Sequence, residues 1–192
     1  MDSYKDIPVL FFESQDDWER WLSVHYTDPV GVWLKFYKKG SGVPSLTYKL
    51  ALDVALCYGW IDSMAKSMGD DWYIQRFSPR RPKSIWSKVN REHIARLIEE
   101  GRMRPPGLAE VERAKADGRW EAAYDGPRNA QIPDDVMDEI RKHPEALATF
   151  ETLNKTNRYY ISFYLQTAKK PETRQRRIHQ MVDTLKRGEK FH

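Results

Sequence analysis

Two stretches of period-two alternation, "VWLKFY" and "WYIQRF", lie on either side of a helical run, and after Pro133 the alternation does not return. Alternation sends successive side chains to opposite faces of a strand. Val32, Leu34 and Phe36 alternate with Trp33, Lys35 and Tyr37, which predicts a half-buried strand ending in a glycine turn. Trp72, Ile74 and Arg76 alternate with Tyr73, Gln75 and Phe77, which predicts a second strand stopped by Pro79. A third, short strand is expected near Ile61.

Helical periodicity fills the rest. A first helix is expected from Ser14, with Asp17 in a capping-box position and Trp18, Trp21, Leu22 and His25 following at helical spacing. "SLTYKLALDVALCYGW" predicts a second, with Leu46, Leu50, Val54 and Cys57 on one face. "SKVNREHIARLIEEG" predicts a third between Ser87 as N-cap and Gly101, and "GLAEVERAKADG" a short fourth. "RWEAAYDGPRNAQIP" reads as a connecting loop. From Pro133 onward the chain reads as helices, with Pro133, Pro144 and Pro171 in first-turn positions. The expected fold class is α+β: a small antiparallel sheet packed with helices, followed by a helical C-terminal part. The expected division is a core over 1–130 and a helical region over 131–192 packed on it.

At 192 residues, 40% of them hydrophobic, the chain can build a sizeable core. The formal charge of +4 is too mild to mark a dedicated nucleic-acid binder, so local distribution matters more. One cysteine, Cys57, excludes an intrachain disulfide, and its apolar surroundings predict a core residue rather than a reactive thiol. His25, His93, His143, His179 and His192 show no metal-ligand spacing, so no metal or cofactor is expected. No phosphate loop, dinucleotide fingerprint or nucleophile elbow occurs. The N-terminus lacks a basic segment followed by a long apolar one, and no apolar run approaches bilayer length. A cytoplasmic protein without membrane contact is expected.

Chemistry points to "QRFSPRRPKSIWSKVN", residues 75–90. It holds Arg76, Arg80, Arg81, Lys83 and Lys88 without one acid. Trp86, Asn90, Ile94 and Leu97 share a helical face, which aims Asn90 inward at a helix start beside a basic loop. Free N–H groups there and the arginines suit a carboxylate or phosphate. The plainer alternative is that Asn90 serves loop backbone and the arginines are solvated. Asp62 in "YGWIDS" follows an apolar helix and an indole; it is a candidate general base, or else one half of a structural ion pair with Arg76 or Arg80. Arg102 and Arg119 each follow a helix-ending glycine, where a cation is favoured in any case, yet each precedes a large apolar residue. Lys169, Lys170, Arg174, Arg176 and Arg177 form a basic patch on the last helix, which nucleic acid or an acidic partner could use, although a charge run is more often a solvated face.

"ALCYGWIDS", "QRFSPRRPKSIWSKVN", "LIEEGRM", "AKADGRWEAAY" and "AKKPETRQRRI" follow one another in an order that resembles the YdeI/OmpD-associated, or bacteriocin-protection, family, from about Phe11 to about Leu185. Ser63 departs from that pattern where glycine is frequent, and Gly69 where an acid is frequent. The resemblance implies no established reaction and hence no catalytic residues. The expectation is therefore a pocket protein for a small anionic ligand, phosphorylated or nucleotide-like. Arg76, Arg80, Arg81, Arg102 and Arg119 would hold the anion, Trp86 would form a wall, Asn90 would orient the ligand, and Asp62 would act as base if a reaction follows. The alternative is a nucleic-acid-binding or stress-response module using the basic loop and the C-terminal basic helix.

Overall fold

A computed structural model describes residues 2–190; His192, named above, lies outside them. The chain divides into two compact units, one of residues 1–86 and 90–122, the other of 87–89 and 123–192.

Unit 1 carries the sheet. Its strands are β1 (Ser3–Tyr4), β2 (Ile7–Phe11), β3 (Val32–Tyr37), β4 (Trp60–Ser67) and β5 (Trp72–Pro79), in the spatial order β1-β2-β3-β5-β4. The class is α+β, as expected. The sheet is mixed rather than wholly antiparallel: β2 runs parallel to β3 because helix α1 (Gln15–His25) crosses between them. Sequence reading passed over β2 because "IPVLF" is short, carries a proline and does not alternate. The strand near Ile61 is eight residues long, with a register shift between Asp62 and Ala65. Ser14 caps α1 as expected, its hydroxyl accepting from Asp17 N–H.

Helix α2 (Tyr48–Cys57) is buried nearly all round from Ala51 to Cys57. Leu50, expected inside, is 38% exposed. Leu46 lies before the N-cap Thr47, so the i, i+4 spacing that tied it to Leu50 crosses a helix boundary. α3 (Lys88–Glu99) and α4 (Pro105–Ala116) follow. α4 begins two residues earlier than "GLAEVERAKADG" suggested, because prolines suit its first turn. A Cβ on Gly107 would stand 2.2 Å from the Cys57 carbonyl oxygen, so glycine lets α4 approach the end of α2.

Register separates the sheet's faces. Trp60, Asp62, Gln75, Phe77, Val32, Leu34 and Phe36 share one face by pairing and alternation. Trp18 of α1 meets Trp60 and Phe77 there, so α1 covers that face. Trp33, Lys35, Tyr37, Trp72, Ile74 and Arg76 lie on the other.

Unit 2 contains α5 (Asp134–Arg141), α6 (Pro144–Glu151), α7 (Lys155–Gln166) and α8 (Pro171–Lys186). Their apolar stripes close a core that includes Val136, Ile140, Phe150, Ile161, Met181 and Leu185. Pro144 and Pro171 occupy first-turn positions as expected, whereas Pro133 is the N-cap residue of α5.

Candidate functional site

The acid-free loop is held by its own arginines. Arg80 is 5% exposed; its guanidinium carbon lies 3.5 Å from the centroid of Trp86, and Nη1 donates to the Ile85 carbonyl at 3.2 Å. Arg119, 6% exposed, donates from Nη1 to the Ser84 carbonyl at 2.7 Å and from Nε to Asp117. Trp120 meets Trp86 edge-on at 4.9 Å. Arg80, Trp86 and Arg119 therefore converge: Nη1 of each arginine takes a backbone carbonyl of the 80–86 loop, whereas Trp86 Nε1 and Arg119 Nη2 are buried with no hydrogen-bond partner among the described residues. Such carbonyls need donors once buried. Arg81 is exposed on the outside of a turn whose N–H donates to Ser84 Oγ.

Arg76 lies on a different face. Arg76 points from β5 to the face opposite Asp62, since Asp62 pairs with Phe77. Its Nη1 donates to the Val32 and Phe77 carbonyls, and Nη2 to that of Val30. Burial lowers its pKa against the pull of Asp28. Arg102 donates to Glu100 at 3.3 Å. Asn90 is half-buried in the first turn of α3.

Of the two arginines expected beside Asp62, Arg80 acts on it through its charge, and the hydrogen bonds come from other residues. Its Oδ2 accepts from Tyr48 O–H at 2.9 Å and from Gln75 Nε2 at 3.2 Å. Burial raises its carboxyl pKa, opposed by the Tyr48 hydrogen bond and by the positive charge of Arg80. Tyr48 also lines a groove of about 720 Å³. The groove is formed by the end of β3, the 38–47 segment and Tyr73, with Phe36 and Tyr73 stacked at 5.3 Å. Lys38 and Lys39 stand at it, and Lys38 Nζ donates to the Gly69 carbonyl, one of its three N–H groups. The acids of the chain are missing from its lining. Sequence reading missed this place. "KKGSGVPSLTY" was visible as a lysine pair before a long turn, but nothing local tied it to Asp62.

A buried carboxylate also went unread. Asp53 on α2 accepts from Arg96 Nη2 at 2.6 Å and meets His93 Nδ1 at 2.7 Å. The i, i+3 spacing of His93 and Arg96 signals a shared face, though not the partner across it. Cys57 is core, as expected, and burial pushes its thiol up to about 11. On α8, Arg174 pairs with Asp135 and Arg177 donates to the Tyr164 carbonyl, while Lys169, Lys170 and Arg176 stay exposed. Among the described residues, no group of three or more His, Cys, Asp or Glu could hold a metal, and no helix is long and apolar enough to cross a membrane.

An α+β unit with an aromatic, lysine-bearing groove, followed by a helical unit, is what the fold and site define. Residues 10–110, just over half of the chain, match the model of the family described as a domain of unknown function (DUF8412), and the chain belongs to that family. Residues 129–188 match the model of the bacteriocin-protection, YdeI or OmpD-associated family. The resemblance read from the sequence is thus shown over the helical part. Of its five motifs, "AKKPETRQRRI" lies within that match, while "ALCYGWIDS", "QRFSPRRPKSIWSKVN" and "LIEEGRM" lie within the first. No curated protein and no solved structure matches the chain.

Proposed function

We propose that the chain binds a small anionic ligand with a flat, partly apolar body, phosphorylated or nucleotide-like, in the groove of unit 1. The observation that carries this reading is the groove's wall: Tyr73 stacked on Phe36, Tyr48 held by Asp62, and Lys38 and Lys39 with no acid among the lining residues. A flat ring gains from an aromatic wall, and compact ammonium groups attract phosphate. The volume of about 720 Å³ suits a metabolite. Because the Tyr48 O–H donates to Asp62, the phenol oxygen can accept from a base or sugar donor of the ligand. Asp62 then acts through Tyr48 as a positioning residue. Arg80 and Arg119 each give Nη1 to a carbonyl of the neighbouring loop, and in this account the lysines meet the anion.

Isothermal titration of purified protein with nucleotides, sugar phosphates and simple carboxylates tests this. Nucleotides are expected to bind best. Tyr73→Ala and the double change Lys38→Ala with Lys39→Ala should each weaken binding about tenfold, or about 1.4 kcal/mol. The exposed-loop change Arg81→Ala should leave it unchanged. Loss of binding in Arg81→Ala with none in Tyr73→Ala would put the site on the basic loop instead.

A further inference from the structure

We infer that the groove's occupant is one unit of a single-stranded nucleic acid, whose neighbouring bases lie on the face of the sheet opposite α1. This rests on the groove reading and extends it to a substrate class. Tyr37 joins the two places: it lines the groove, and by alternation its ring belongs to the face that carries Trp33 and Lys35.

That face combines rings and cations. Phe11 meets Tyr37 edge-on at 5.5 Å, and Lys35 Nζ lies 4.5 Å from the Tyr37 ring centroid and 4.3 Å from that of Trp72. Pairing sets Phe11 beside Lys35 and Tyr37 beside Trp72, so the three rings span three adjacent strands. Phe11 is 39% exposed, and Tyr37 and Trp72 are half-buried, so ring surface remains available. Farther along, Tyr4 meets Trp33 edge-on at 5.3 Å, and Lys66 Nζ lies 5.8 Å from the Tyr4 ring. Tyr4 sits on β1 and Lys66 on β4, the two edges of the sheet, and Trp33 and Ile74 between them are buried, so the open part of the face is that of Phe11, Tyr37 and Trp72.

Charge selects the partner. Register places Lys35, Lys66 and Arg76 on the face and no acidic residue of the described strands. Lys38 and Lys39 continue the positive charge into the groove; Asp70 and Asp71 precede Trp72 in the β4–β5 turn and bound the patch there. Arg76 is engaged by carbonyls, which leaves the lysines to meet phosphates. Rings that stack on any base, interleaved with lysines, suit a single strand. A duplex hides its base faces.

The test is fluorescence anisotropy with a labelled oligothymidylate of eight nucleotides, run across a salt series beside thymidine monophosphate titrated by calorimetry. The octamer should bind at least tenfold more tightly than the monophosphate. Its affinity should fall with salt at a log–log slope of roughly −2 to −3, since each phosphate neutralised on a single strand contributes about 0.7. Phe11→Ala, Trp72→Ala and Lys35→Gln should each weaken the octamer about fivefold or more and leave the monophosphate unchanged; stacking on one ring accounts for at least that factor. Phe11 is exposed enough for its variant to fold. Equal affinity for octamer and monophosphate would overturn the inference and leave the groove reading standing. Octamer binding that ignores all three variants would also overturn it. Binding of neither would overturn the inference and the nucleotide form of the groove reading with it.

Discussion

At the scale of the residue, two aspartates face opposite demands. Asp62 is raised by burial, so its folded carboxyl holds a proton more readily than the unfolded one. Stability from this group is fully present below its unfolded pKa and is lost as pH rises through the raised folded value. Asp135 is lowered by its hydrogen bonds from Arg174, so its contribution is present above the unfolded pKa and lost as pH falls through the lowered value. Urea denaturation across the acid range should show Asp62→Asn with stability falling less on the way up from its ordinary range. Asp135→Asn should lose less on the way down. Asp53 is different in kind: its side chain is 3% exposed and takes both His93 and Arg96. Asp53→Ala should cost about 2 kcal/mol, below the ~3–5 of a fully buried pair because Arg96 and His93 keep contact with water. A cost under about 0.5 kcal/mol would show that the carboxylate is not what ties α2 to α3.

Elements turn these contacts into a frame, and here sequence legibility was uneven. β3 and β5 were legible because alternation is local and each strand is bounded by glycine or proline. Helices α5–α8 were legible from apolar stripes, with proline starts at α6 and α8. β2 was not, since its burial comes from a parallel neighbour supplied only after the α1 crossover. The arginine loop shows the limit most clearly. Its lack of acids was plain in the sequence and suggested an anion. In the folded loop one nitrogen each of Arg80 and Arg119 takes a main-chain carbonyl, which no pattern of side chains can announce. Trp86→Ala should therefore cost about 3–5 kcal/mol by removing the ring that Arg80 and Trp120 pack on. Gly107→Ala should cost about 1–3 kcal/mol by driving α4 off the end of α2. Thermal melts of the two variants check both; wild-type stability in Gly107→Ala would mean that the close approach is not required.

For the whole molecule, each unit has a core of its own, and the groove, the Asp62–Tyr48 pair and the aromatic sheet face all lie in unit 1. Met181→Ala, in the unit 2 core, should lower stability by about 2–5 kcal/mol while leaving ligand binding intact. The direct test of the groove is an amide NMR titration with a mononucleotide. Shifts confined to residues 36–48 and 73 are predicted, reached in Tyr73→Ala only at about tenfold higher nucleotide. Shifts centred on residues 80–90, or none at saturating nucleotide, would contradict the account.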